Sequence, residues 1–338
     1  MSATVGGAGE AKLLALIERW LLDGTPKGVW TRVSASAETR RHPLRVADCA
    51  TVRTTGRTLL TTDAFVEGVH FRRAWTPAWM AGWKALAANV SDIAAGGGRP
   101  SAALVSLELP RPLALAWLRG FYTGLLACGR RFGVAVAGGN LARGTRVACH
   151  IALAGEAPAR RVGRDGVRPG DILAVTGTLG GSAAGLECLR RGVRSKVAGE
   201  AIWRHQVPTP RLAAGRALGP LVSALIDVSD GLVHEARLLA AASRVAIALV
   251  PGAVPVHPAA RALAAKWGRD PVRLALESGE EYELLAAIPR ARWAAASRAA
   301  ARVLVPLTAI GGAGKGSGVR LAGWHGPVRG FDHFRRPK

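Results

Sequence analysis

Apolar and polar positions recur along the chain with two different periods, and the switches between them mark its elements. Residues 10–22 repeat apolar positions at helical spacing. The stretch 23–43 then reads as a loop, and from 44 the pattern turns β-like. Strands are predicted at 58–62, 101–108, 134–137 and 147–154, helices at 78–95 and 113–132, and a glycine-rich turn at 138–144. Past the turn-rich string GVRPGD at 166–171, the pattern predicts strands at 172–176, 224–228, 245–250, 284–288 and 304–310. Helices are predicted there at 180–191, 209–218 and 231–243. This alternation predicts an α/β (α+β) fold with mixed sheets and packed helices. A chain of 338 residues is long enough for two domains, expected at 1–157 and 158–338.

Composition narrows the class. About half of the residues are apolar, yet no charge-free apolar run reaches 18 residues, so neither a membrane span nor a disordered chain is expected. Residues 1–12 lack a basic region followed by an apolar core and cleavage site, which predicts a cytoplasmic protein. Cys49, Cys128, Cys149 and Cys188 are too widely spaced for a zinc site and are expected to be reduced, mostly buried thiols. The net charge of +23 raises the question of a polyanionic partner. Its 7 Lys and 39 Arg are scattered without basic blocks or interleaved aromatics, so no specific nucleic acid is expected.

The acidic residues carry the candidate chemistry. Five of the ten aspartates fall in four short motifs: Asp48 in ADCA, Asp63 after Thr61 and Thr62, Asp92 after Ser91, and Asp227 with Asp230 in DVSDG. Asp63 and Asp227 each follow a predicted strand, where α/β folds build sites. Carboxylates and hydroxyls there are hard oxygen donors suited to Mg²⁺ against phosphates. Ser91, Ser229 and Asp230 equally fit helix capping, whereas Asp92 inside the apolar run ALAANVSDIAA needs a partner. Gly138-Gly139-Asn140 reads as a turn whose N–H groups can approach phosphates. GTLGGSAAG at 177–185 lacks dinucleotide-binding spacing and fits either close packing or a helix N-terminus facing an anion. GGAGKGS at 311–317 is not a Walker A loop, because Ala309 and Gly316 occupy two required positions, and reads as a surface turn.

Read in order, these motifs resemble the thiamine-monophosphate kinase family of the aminoimidazole-ribonucleotide-synthetase-like superfamily. The matching strings are TTDAFVEGVHF (61–71), KALAANVSDIAAGGGRP (84–100), GGNLARG (138–144), RDGVRPGDILAVTGTLGGSAAGL (164–186), ALIDVSDGL (224–232), SGEEYEL (278–284) and GFDHF (330–334). The resemblance implies two synthetase-like domains with dimerisation through the first, so a homodimer is expected. It also implies that the second domain completes a cleft for ATP, several Mg²⁺ ions and thiamine monophosphate, with direct in-line transfer of the γ-phosphoryl group.

By motif position, the residues resembling the family's metal set are Asp48, Thr61, Thr62, Asp63, Asp92, Asn140, Asp227 and Asp230. Among these, Asp63, Asp92 and Asp230 are expected to be catalytic. Gly139, Asn140, Arg164 and Ser229 resemble ATP contacts, and His70, Glu280 and Phe331 resemble substrate contacts. Three departures stand out: Asn140 where the family carries an aspartate, Ala47 in place of one acid of a pair, and Glu281 where the family carries Asp. A neutral carbonyl oxygen at Asn140 predicts a weaker or missing metal. A divergent relative acting on another small acceptor, and a non-catalytic nucleotide-binding relative, are the alternatives.

Overall fold

The computed structural model describes residues 4–5, 10–24 and 56–331. The chain divides into two compact units, Met1–Ile93 with Arg99–Ala157, and Ala94–Gly98 with Pro158–Lys338. The β-like pattern expected from 44 and the candidate ligand Asp48 lie outside the described residues.

The first unit carries a four-stranded sheet in the order β1-β4-β2-β3, built from β1 (Thr58–Val66), β2 (Arg99–Leu109), β3 (Ala135–Arg143) and β4 (Ala148–Glu156). Its helices are α1 (Glu10–Gly24), α2 (Ala78–Ala95) and α3 (Leu115–Phe132). One sheet face carries buried residues such as Phe65, Val105, Leu107, Ile151 and Leu153. The alternate positions are more open, with Leu60 79% and Leu104 45% exposed.

Two sequence expectations change here. β1 does not stop before Asp63 but runs on to Val66, because residues 63–66 continue antiparallel pairing with Ile151 to Ala148. The expected glycine turn at 138–144 is instead strand through Arg143, with Gly138, Gly139 and Asn140 paired to Leu104, Val105 and Ser106. Glycine is required by proximity at Gly139, where a Cβ would sit 1.9 Å from the Val105 carbonyl oxygen.

The second unit holds a six-stranded sheet in the order β10-β7-β9-β5-β8-β6. Its strands are β5 (Ile172–Thr176), β6 (Ala224–Asp227), β7 (Ala246–Leu249), β8 (Leu284–Ile288), β9 (Leu307–Gly314) and β10 (Gly318–Leu321). Only β10 and β7 pair in parallel. The helices are α4 (Gly181–Arg191), α5 (Lys196–Gln206), α6 (Leu212–Leu218), α7 (Leu232–Ser243), α8 (Pro258–Lys266), α9 (Pro271–Glu277) and α10 (Trp293–Arg302). Most of the GGAGKGS string expected as a turn is strand: 311–314 belong to β9, whose Gly311 runs so close to β7 that a Cβ would lie 2.1 Å from the Ala248 carbonyl oxygen. The helix expected at 209–218 begins only at Leu212, after Pro208 and Pro210.

Candidate functional site

In the first unit, alternation along β1 sends Thr61 and Asp63 to the same face. Asp92, on the last turns of α2, meets that face: the Thr61 hydroxyl donates to Asp92 Oδ2. The partner that a carboxylate inside an apolar helix requires is therefore a side chain from the neighbouring strand. Thr62 projects to the opposite, open face, in line with Ala152 and Leu104. The row Asp63–Ile151–Val105–Gly139 crosses the sheet on one face, while Asn140 falls in the next row with Ser106, His150 and Ala64. Pleating thus separates Asn140 from Asp63 by both strand order and face. His70 follows β1 in a turn, where its Nδ1 accepts the Val66 N–H at 3.0 Å and its ring stacks on Phe65. In the neutral ring that bond places the proton on Nε2.

In the second unit the DVSDG and SGEEYEL strings lie together, tied by main-chain bonds. Asp227 ends β6 opposite Leu284, buried with 3% exposure. Beyond it, Val228 N–H donates to the Glu283 carbonyl at 2.7 Å, and Glu281 and Tyr282 donate to the Val228 carbonyl at 3.1 and 2.9 Å. Glu280 N–H donates to the Ser229 carbonyl at 2.6 Å. Both Glu280 and Tyr282 hold φ near +54° and +53°. Such backbone is costly for side chains other than glycine and persists where surrounding bonds fix it. Phe331, half-exposed, is attached to the same loop through its N–H to the Asp230 carbonyl at 2.8 Å. Asp227, Ser229, Asp230, Glu280 and Phe331 therefore form one cluster. Arg164 sits in an exposed bend, its carbonyl accepting from the Ser243 hydroxyl at 3.0 Å.

Beneath this loop lies a buried charge network that sequence reasoning missed. Glu283 accepts from Thr176 Oγ1 at 2.7 Å, Arg204 Nη2 at 2.6 Å, and Arg211 through Nε at 2.7 Å and Nη2 at 2.5 Å. Glu281 Oε1 accepts the N–H groups of Gly180 and Ser182 at 2.7 and 3.0 Å and the Ser278 hydroxyl at 2.6 Å. The N-terminus of α4, open in the sequence to an anion, is thus filled by the protein's own carboxylate. Burial pushes the Glu281 carboxyl up, opposed by the Arg204 guanidinium. The Arg204 guanidinium is itself held above its ordinary value because Glu283 and Glu281 outweigh its burial. The signal available in sequence was the density of acids in SGEEYEL, where Glu281 and Glu283 stand beside Glu280 ahead of an apolar strand.

Glu235, at the start of α7, supports the acidic loop: its Oε1 accepts the N–H groups of Ser229 at 3.1 Å and Asp230 at 2.7 Å. Burial pushes its carboxyl up. The three described cysteines are free and buried, as expected, and among the described residues no helix is long and apolar enough to cross a membrane.

Comparison with known proteins places this geometry in context. Residues 46–157 match the family described as AIR synthase related protein, N-terminal domain. The thiamine-monophosphate kinase of Aquifex aeolicus is 38% identical over 278 residues, covering 82% of this chain and 88% of that protein. That of Salmonella typhimurium is 35% identical over 301 residues, covering 86% and 91%. A solved structure described as AaThiL complexed with AMPPCP and TMP superposes with a TM-score of 0.76 at 33% identity, covering 99% of this chain and 100% of that one.

Proposed function

Because the chain belongs to the thiamine-monophosphate kinase family and is a kinase, we propose that it phosphorylates thiamine monophosphate to thiamine diphosphate at the expense of ATP. The observation that carries the reading is the interlocked loop presenting Asp227, Ser229 and Asp230 beside Glu280 and Phe331, in a chain related to these kinases over most of its length.

The acceptor is a phosphate monoester, largely dianionic at neutral pH because its second pKa is about 6. Its oxygen attacks the γ-phosphorus in line, the bond to the β–γ bridging oxygen breaks, and ADP leaves. No general base is required, since the attacking oxygen carries no proton to remove. What the reaction requires is relief of repulsion between two anions and their alignment. The donor sets fit Mg²⁺: Thr61, Asp63 and Asp92 in the first unit, and Asp227 and Asp230 in the second, all offer hard oxygen. Bound there, Mg²⁺ supplies charge neutralisation to the phosphates. In this reading Thr61 orients Asp92, and Glu235 holds the backbone N–H groups that set the Asp230 loop. Arg164, Ser229 and Gly139 contact ATP, while His70 Nε2–H, Glu280 and the half-exposed Phe331 ring contact the thiamine side. Asn140 and Thr62, both on the open face of the first sheet, are the weakest members of the metal set.

That open face supports the further proposal of a homodimer through the first unit. Leu60 and Leu104, with Ala102, Ala137, Ala152 and Ala154, line an apolar depression of about 490 Å³. The test of the reaction is formation of thiamine diphosphate from ATP and thiamine monophosphate across a Mg²⁺ titration. No product at any Mg²⁺ concentration overturns it. Turnover with other acceptors alone points to a divergent acceptor, and tight ATP binding without turnover to a non-catalytic relative.

A further inference from the structure

The first turn of α7 carries a carboxylate oxygen, Oε2 of Glu235, and an imidazole, His234, to which the proposed phosphoryl transfer gives no role. Glu235 spends Oε1 on the loop N–H groups, but its Oε2 is buried without a hydrogen-bond partner, in a side chain only 1% exposed. That oxygen faces His234 Nε2 at 4.0 Å. Asp230 stands four residues before His234, and ligand atoms of Asp230, His234 and Glu235 lie within 4.8 Å of one another. The base of the His234 side chain is packed closely by Gly330. A Cβ at Gly330 would lie 2.6 Å from His234 Cβ and 2.9 Å from the Asp230 carbonyl oxygen, the same oxygen that receives the Phe331 N–H.

We infer that Asp230, His234 and Glu235 form a binding site for a divalent first-row transition-metal ion, with one imidazole nitrogen and two carboxylate oxygens as ligands. Two carboxylates and a neutral imidazole balance a 2+ ion, and the half-exposed side of His234 leaves the remaining coordination positions to water. The nitrogen donor sets the class: Mg²⁺ prefers oxygen alone, whereas Mn²⁺, Co²⁺ and Zn²⁺ accept imidazole. Bonds of about 2.1 Å require ligand atoms roughly 3.4 Å apart in a tetrahedral site. The present separations close to that value by rotation of the partly exposed Asp230 and His234 about a fixed Glu235. The site shares Asp230 with the proposed kinase set, but its occupancy does not depend on phosphoryl transfer.

The test uses the full chain without nucleotide, titrated with Mn²⁺ and followed by electron paramagnetic resonance, including pulsed detection of ¹⁴N coupling. The expected result is bound Mn²⁺ with an imidazole ¹⁴N coupling that disappears in His234→Ala, together with a loss of affinity of about tenfold or more. Because the His234 side chain is half-exposed, the variant is expected to fold. Glu235→Gln, checked for folding by circular dichroism, is expected to weaken the same ion. Bound Mn²⁺ without ¹⁴N coupling, or equal coupling and affinity in wild type and His234→Ala, overturns the inference. A chain that shows the coupling but makes no thiamine diphosphate with Mg²⁺ supports the metal site while refuting the kinase reading.

Discussion

Glu283→Gln is expected to be among the most damaging near-isosteric substitutions in the second unit. The side chain is fully buried and receives four hydrogen bonds, three of them from the guanidinium groups of Arg204 and Arg211. Glutamine keeps the volume and one acceptor oxygen, but replaces the other with a donor that faces Arg or Thr donors. It also leaves two cations near each other without their shared anion. Removing one member of a buried ion pair costs about 3–5 kcal/mol. Arg211, the more exposed of the two arginines, recovers part of this through water, so a value near 3 kcal/mol is expected. For a unit of this size that corresponds to a fall in melting temperature of roughly 6–12 °C. The assay is thermal and urea unfolding of the full chain, comparing wild type, Glu283→Gln and the charge-preserving Glu283→Asp. Because Val228 N–H hangs on the Glu283 carbonyl, turnover should fall with stability. A loss below about 1 kcal/mol in Glu283→Gln would show that the arginines are already satisfied by solvent and that the network does not hold the loop.

Asp63→Asn is expected to lower thiamine diphosphate formation by about 10²-fold or more with an unchanged melting temperature, since it removes ligand charge from a partly open strand position; unimpaired turnover takes Asp63 out of the metal set. Gly139→Ala drives a Cβ into the Val105 carbonyl and is expected to destabilise the first unit by about 1–3 kcal/mol, read by urea unfolding. Leu104→Asp puts a charge on the open sheet face and is expected to convert a dimer to monomers by light scattering; a wild-type monomer would end that reading. His257 has its pKa lowered from 6.5, first by burial and then by the Arg204 charge. The unfolded chain therefore binds the proton more readily than the folded one, so stability is complete above about 6.5 and is lost as pH falls through the folded value. His257→Asn, which keeps an acceptor for the Ala259 N–H, should flatten that part of the stability–pH curve.

The elements most legible in the sequence were those whose periodicity is undisturbed: α2 and the strands at 172–176 and 284–288 match their expected bounds. Errors collected where a residue's usual meaning was overruled by close approach. Asp63 looked like a strand end, yet its backbone pairs with Ile151 in a continuous ladder. The glycines at 138–139 and 311–314 looked like turns because glycine usually supplies conformational freedom. Here Gly139 and Gly311 serve instead by lacking a Cβ where another strand's carbonyl passes within about 2 Å of its place. Single-sequence pattern contains no information on that distance. The same holds for Asn140: its place in a motif is visible, but the face it occupies depends on the register of β3 against β2.

The clustering of the motifs follows from one physical requirement. A loop that carries Asp227 and Asp230 within a few residues repels itself and exposes backbone groups, so it needs donors and acceptors from elsewhere to hold one conformation. Glu235 supplies an acceptor from the following helix, and residues 280–283 supply main-chain partners from a segment some fifty positions away. That segment in turn holds unusual backbone at Glu280 and Tyr282 because Glu281 and Glu283, on either side of Tyr282, are anchored by the α4 N-terminus, Arg204 and Arg211. The strings DVSDG and SGEEYEL therefore lie together because neither keeps its shape alone. A change in the buried glutamates should register at the acidic loop before it registers in the sheet: hydrogen exchange at Val228 and Asp230 in Glu283→Gln should accelerate more than at Leu285 in β8. Equal acceleration would mean that loop and sheet open as one unit.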